Sequence, residues 1–164
     1  MSEVRVAIVV ITKHGAAIAS RLAPQIPEAC VVVSEKQQDQ LGEFANPRQI
    51  YQGALSAQIA GLFARYDQLI FLVSLGAVVR LIAPHLKSKN EDPGVLVIDD
   101  AAEFVIPVLS GHVGGANAYA EKVAALLGAA PVLTTASDVG KTIPVDILGR
   151  ELGWRIEAPK INIT

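Results

Sequence analysis

The sequence predicts an open α/β sandwich of three layers, built on a mostly parallel but mixed sheet. Three observations carry this. The apolar runs at 4–11, 68–73 and 94–99 are continuous rather than alternating, which is how strands buried on both faces read. Helix-period patterns lie between most of the strand-like runs. The strand-like runs 94–99 and 103–109 are joined by too few residues for a parallel crossover, which takes about a dozen or more, so they form an antiparallel hairpin.

The elements follow in order. "VRVAIVVI" (4–11) is the first strand and "AAIASRLA" (16–23) a helix stopped near Pro24. "CVVV" (30–33) is a second short strand. The polar stretch 34–48, with Gly42 and Pro47, reads as a surface loop. Leu55, Ile59, Leu62 and Phe63 share one face of a helix expected over 51–65. After the strand at 68–73 comes a turn at Gly76 and a short helix broken near Pro84. Pro107, inside the second strand of the hairpin, predicts an edge position or a bulge. A helix follows over 115–128, with Tyr119, Val123, Leu126 and Leu127 on one face and Gly128 as its C-terminal cap. Residues 130–138 supply a last strand and its loop, and 145–152 have a helical pattern. The expected division is a domain over 1–140 and a helix with the start of a further segment over 141–164.

Composition narrows the function. Of 164 residues, 51% are hydrophobic and 18% charged, which calls for two covered sheet faces or an oligomer interface. The net charge of −2, without any basic block, excludes a strong nucleic-acid footprint. The lone Cys30 reads as a small buried hydrophobe in a reducing compartment. The N-terminus reads as a strand and not a signal peptide, and no apolar run reaches the roughly 18 residues of a membrane span. The expected setting is therefore the cytoplasm, with no membrane partner. Exposed strand edges allow a homodimer.

Four strand ends carry small hydroxyl residues with glycine, histidine or aspartate: 12–15, 74–76, 110–112 and 134–138. If all four strands are parallel, these loops share one rim, where α/β folds collect ligands. The densest is "SGHVGGAN" (110–117). Its glycines allow close backbone approach, and Gly114 and Gly115 lie at a helix start, whose N–H groups suit a carboxylate or phosphate. Gly111, Gly114 and Gly115 have the wrong spacing for G-x-G-x-x-G. Ala116-Asn117 stands where a Walker A loop has its lysine, and Ser110 is not in a nucleophile elbow. His112 is the candidate proton carrier, or else a histidine that holds the loop's shape. His14 and His85 read as solvated. With no paired histidines and one cysteine, no structural metal is expected. Ser74, Gly76, Arg80, Ser110, Gly111, Gly114, Gly115, Asn117, Thr134, Thr135 and Asp138 are the candidate substrate contacts. Arg80 would clamp a carboxylate. Asp99 and Asp100 fit ordinary turn roles.

Three stretches also carry a family resemblance: "LVSLGAVVRLIAP", "FVIPVLSGHVGGANAYAEKVAALLGAAPVLTTASD" and the hairpin between. They resemble the N-terminal region of the CbiG family, the cobalt-precorrin-5A hydrolases of anaerobic cobalamin biosynthesis. The specific part is "LSGHxGGAN", a helix, then "TTAxD". The resemblance implies a cobalt-corrinoid substrate whose δ-lactone is opened by water, with loss of acetaldehyde. Cobalt enters only as part of that substrate, and no separate cofactor is implied. It also implies a C-terminal domain, absent from this chain, as partner, and family members occur fused to corrinoid methyltransferases. The alternative is a non-catalytic corrinoid-binding or docking domain of such a larger cobalamin-pathway protein.

Overall fold

The computed structural model describes residues 3–135. The chain divides into a compact unit over Met1–Leu133 and a second unit from Thr134 to Thr164. The expected boundary at 140 and the helix at 145–152 lie outside the described residues, as does most of the loop after the last strand.

Seven strands form one sheet: β1 (Val6–Val10), β2 (Cys30–Ser34), β3 (Arg48–Tyr51), β4 (Gln68–Leu72), β5 (Gly94–Ile98), β6 (Phe104–Leu109) and β7 (Ala130–Pro131). Their order is β3-β2-β1-β4-β5-β6-β7. The first five are mutually parallel, β6 is antiparallel to β5, and β7 is parallel to β6. Four helices accompany them: α1 (Lys13–Leu22), α2 (Ile59–Arg65), α3 (Leu75–Ile82) and α4 (Ala116–Leu127).

The strands with continuous apolar runs sit where that pattern demands. Every residue of β1, β4 and β5 is buried. Along β1 the side chains alternate between two cores, as the pleat requires. Val6, Ile8 and Val10 meet α1 and α4 on one face. Ala7 and Val9 meet α2 and α3 on the other. The three-layer sandwich follows. On α4 the buried face is mostly small (Ala116, Ala120 and Ala124 beside Val123 and Leu127), while Tyr119 and Leu126 pack at its margin.

The hairpin is antiparallel, as its short connection required. Leu96 faces Pro107 and Val95 faces Leu109, so Val108 is an extra residue on β6. Pro107 thus lies at a β-bulge, where its missing N–H is tolerated. Asp99 closes the turn through its carboxylate, which accepts from the N–H groups of Ala101 and Phe104. Gly128, at φ +69°, ends α4 and donates to Ala124 O, the expected cap.

One strand was not legible. β3 falls in "RQIY", whose Arg48 and Ile50 are exposed and whose Tyr51 is buried. It is an edge strand held by backbone pairing to β2. Tyr51 therefore belongs to a strand and not to the following helix. Gly53 (φ +78°) breaks the chain after it, and the helix shortens to α2 behind a 3-10 turn at Leu55–Ala57. α1 in turn starts earlier than its apolar pattern, because Thr12 Oγ1 accepts from the N–H of Gly15 and caps it.

The loop leading to β3 is pinned by buried Asn46, whose Nδ2 donates to Ile26 O (2.8 Å) and Ala29 O (3.0 Å). Asn46→Ala leaves two carbonyls without this donor. Its expected cost is about 1–3 kcal/mol, read as a lower urea midpoint at unchanged slope.

Candidate functional site

The antiparallel turn of β6 decides where the loops go. α1 and α3 begin at the carboxyl ends of β1 and β4, so Thr12, His14, Ser74, Gly76 and Arg80 belong to that rim. β6 runs back, and its end delivers residues 110–117 to the amino ends of β4 and β5. Five-residue strands at about 3.3 Å per residue put roughly 17 Å between the two rims. The candidate contacts therefore do not form one cleft, which corrects the expectation of a shared rim. Ser74, Gly76 and Arg80 are exposed on the carboxyl-end rim, where Arg80 Nη1 reaches its own helix at Gly76 O (3.4 Å). Ser110, Gly111, His112, Gly114, Gly115 and Asn117 stand on the amino-end rim. Thr134 and Thr135 belong to the second unit, and Asp138 lies outside the described residues.

The 110–117 loop is a folded object and not an open cradle. Ser110 has φ +56° and Gly115 φ +75°, two left-handed residues that reverse the chain between β6 and α4. Gly115 N–H donates to His112 O (3.0 Å), Ala116 N–H to Ser110 O (3.2 Å) and Asn117 N–H to Gly111 O (3.0 Å). The loop's own carbonyls thus cap α4. This corrects the idea that the N–H groups at Gly115 and just after it face a bound anion. The other glycines answer to packing. A Cβ on Gly114 would lie 2.4 Å from Ser110 Cβ, and one on Gly111 would lie 2.7 Å from Asn117 Oδ1. Asn117 is itself buried. His112 opens the turn closed by Gly115 and is half-buried.

Two anchors fix the loop to the sheet. Ser110 Oγ donates to Asp92 O (3.0 Å), and Gln68 Nε2 donates to Gly114 O. Neither Gln68 nor Asp92 was among the sequence candidates. The available signals were a polar residue opening an otherwise apolar strand and the "DPG" turn just before β5. Asp92 also draws its own loop shut, since both carboxylate oxygens accept from Lys87 N–H (3.1 and 3.0 Å).

Asp92 also lines a cavity of about 330 Å³ between the ends of α2 and α3. Phe63, His85, Lys87 and Glu91 share that lining, and the rings of Phe63 and His85 stand 6.2 Å apart. The cavity and the loop thus meet at one residue on one rim. A second cavity, about 380 Å³, opens on the same rim at the start of β1 beside Arg5, Glu28, Arg65 and Tyr66. Burial pushes the Tyr66 phenol up to about 12, helped by the neighbouring Cys30 thiol. Cys30 is half-buried there. Among the described residues, no cluster of three or more His, Cys, Asp or Glu side chains is grouped to hold a metal ion. No described helix is long and apolar enough to cross a membrane.

Arg5 and Asp67 close the rim between β1 and β4 with a two-pronged ion pair (Nη2 to Oδ1 2.9 Å, Nε to Oδ2 3.1 Å). The hydrogen bonds from Arg5 hold the Asp67 carboxyl below its ordinary value, against a smaller opposing effect of burial. The contribution is complete above the ordinary carboxylate range and fades as pH falls through the lowered value. The pair is exposed, so the effect is small and salt-screened. Urea midpoints measured from about pH 6 to about pH 2 are expected to fall more steeply for the wild type than for Asp67→Asn.

Residues 57–138 match the family described as cobalamin synthesis G N-terminal. The chain belongs to that family. The matched CbiG N-terminal segment contains Gln68, Asp92 and the whole 110–117 loop. The chain is 49% identical over 158 residues to a cobalt-precorrin-5A hydrolase of Priestia megaterium, covering 96% of this chain and 42% of that protein. It is 36% identical over 151 residues to the cobalt-precorrin-5A hydrolase of Salmonella typhimurium, covering 92% and 41%. The chain thus spans less than half the length of either relative. Among solved structures, a cobalamin biosynthesis protein G homolog from Sulfolobus solfataricus superposes with a TM-score of 0.56 at 22% identity, over 90% of this chain and 40% of that one. This CbiG-type fold is therefore shared well beyond close sequence similarity.

Proposed function

We propose that this CbiG N-terminal domain binds a cobalt corrinoid at its amino-end rim and takes part in opening the δ-lactone of cobalt-precorrin-5A. The observation that carries the reading is the 110–117 loop, a glycine-tight turn bearing His112 and fixed by Asp92 to the lining of an adjoining cavity. That cavity has apolar walls for a macrocycle edge, with His85 and Lys87 for its carboxylate side chains. Relatives named as cobalt-precorrin-5A hydrolases supply the reaction class.

In this reading water adds to the lactone carbonyl and the ring oxygen leaves. His112 takes the proton from water and returns it to the departing oxygen, the ordinary work of a histidine acting as general base and then general acid. The freed alcohol carbon then becomes the carbonyl of acetaldehyde. Its O–H proton is lost, its C–C bond to the macrocycle breaks, and the electron pair of that bond passes into the conjugated ring of the corrinoid. Cobalt belongs to the substrate throughout. The further length that the relatives carry is the natural partner to complete the site.

Acetaldehyde release from the lactone substrate, coupled to NADH oxidation by alcohol dehydrogenase, tests this in the polypeptide carrying the domain. His112→Ala is expected to slow release about 10²- to 10⁴-fold while corrinoid binding persists. Unchanged turnover removes His112 from the chemistry and favours a corrinoid-docking role for the domain.

A further inference from the structure

We propose that Gln68 is the positioning residue of the 110–117 loop, setting the backbone that presents His112 without touching substrate itself. Only 4% of Gln68 is exposed. Its carboxamide stands between the start of β5 and the loop. Nε2 donates to Gly114 O, which fixes the amide's orientation, because a carbonyl accepts only from the nitrogen. Oε1 is buried and has no hydrogen-bond donor. A buried acceptor left without a donor is a cost that ordinary structural packing avoids. An apolar side chain would remove that cost but also the donor to Gly114 O, so what the amide supplies in exchange is its hold on the loop.

The sheet does not need it. The N–H of Gln68 donates to Arg5 O (3.1 Å), and Gly94 N–H donates to Asp67 O (2.9 Å). The backbone of β4 is therefore secured on both sides whatever the side chain. Gly94, by contrast, is shaped around the amide: a Cβ there would land 2.1 Å from Gln68 Oε1. Gly94 keeps space for the carboxamide, the carboxamide holds Gly114, and Gly114 lies inside the turn that His112 opens and Gly115 closes. That this turn serves the substrate rests on the function proposed above.

Two substitutions release Gly114 independently. Gln68→Met keeps the volume and removes the donor. Gly94→Ala leaves Gln68 in place and displaces its flexible end. Both are read by amide hydrogen exchange on the chain, comparing the loop-bonded N–H groups of Ala116 and Asn117 with those of β4. The expected result for both variants is loop exchange at least about tenfold faster, β4 exchange unchanged and a melting temperature within a few degrees of wild type. Loop exchange that is unchanged, or that rises only in step with β4, overturns the proposal. Binding of cobyrinic acid, a cobalt corrinoid with free carboxylates, is then followed by its visible spectrum. About tenfold weaker binding by Gln68→Met supports the positioning role. Equal binding despite a loosened loop overturns it. No binding by the wild type overturns the proposed function instead, and the exchange data still decide whether Gln68 holds the loop.

Discussion

Gly114→Ala is expected to break the 110–117 loop and abolish corrinoid binding while leaving the sheet folded. A methyl group there would lie 2.4 Å from Ser110 Cβ, 2.7 Å from Ser110 O and 3.3 Å from Gly94 N. The first two atoms belong to the same tight turn, and the oxygen is already the acceptor for Ala116 N–H. No flexible side-chain end is available to yield, so the turn itself must open. Overpacking of this kind costs about 1–3 kcal/mol. Opening the turn also withdraws Gly114 O from Gln68 and disturbs the cap of α4. The check is a urea midpoint shifted by that amount together with loss of the cobyrinic acid spectral change. Gly128→Ala is the contrasting case. It has φ +69° but nothing within 4 Å of the added methyl, so it carries only conformational strain of about 1–2 kcal/mol and should leave corrinoid binding intact.

Phe71→Ala should have the largest effect on stability. Phe71 lies on β4, the fourth of seven strands, is 0% exposed, and packs into the core shared with α2 and α3. Its neighbours on the flanking strands, Val9 and Val97, are equally enclosed and cannot collapse inward to fill the space. Truncation of a buried phenylalanine costs about 3–5 kcal/mol, a large part of the 5–15 kcal/mol typical of a domain. Calorimetry is expected to show a melting temperature lowered by on the order of 10–15 °C.

The features legible in the sequence were those written in strong, local physics. β1, β4 and β5 announced themselves because burial on both faces leaves no room for polar residues. The antiparallel hairpin followed from the reach of a short connection, the bulge from Pro107, and the end of α4 from Gly128. β3 was hidden because it is an edge strand whose pairing is backbone to backbone, so Arg48 and Ile50 carry no burial signal.

The site was legible in part. The 110–117 loop stood out by composition, but its glycines were read as room for a ligand when they are room for Ser110 and Asn117. The shared rim failed on a consequence already present in the sequence: a strand forced antiparallel by a short turn must end at the opposite edge from its neighbours. Gln68 and Asp92 gave little signal because each acts through a long-range contact, 46 and 18 residues from its loop partner. No local pattern encodes such contacts.

The corrinoid is expected at the amino-end rim and not at the carboxyl-end rim usual for α/β sheets. Chemical-shift mapping of the ¹⁵N-labelled chain, titrated with diamagnetic dicyano-Co(III) cobyrinic acid, tests it most directly. The expected perturbations fall on Gln68, His85, Gly94 and residues 110–117. Perturbations gathered instead on Thr12, His14, Ser74, Gly76 and Arg80 would contradict it.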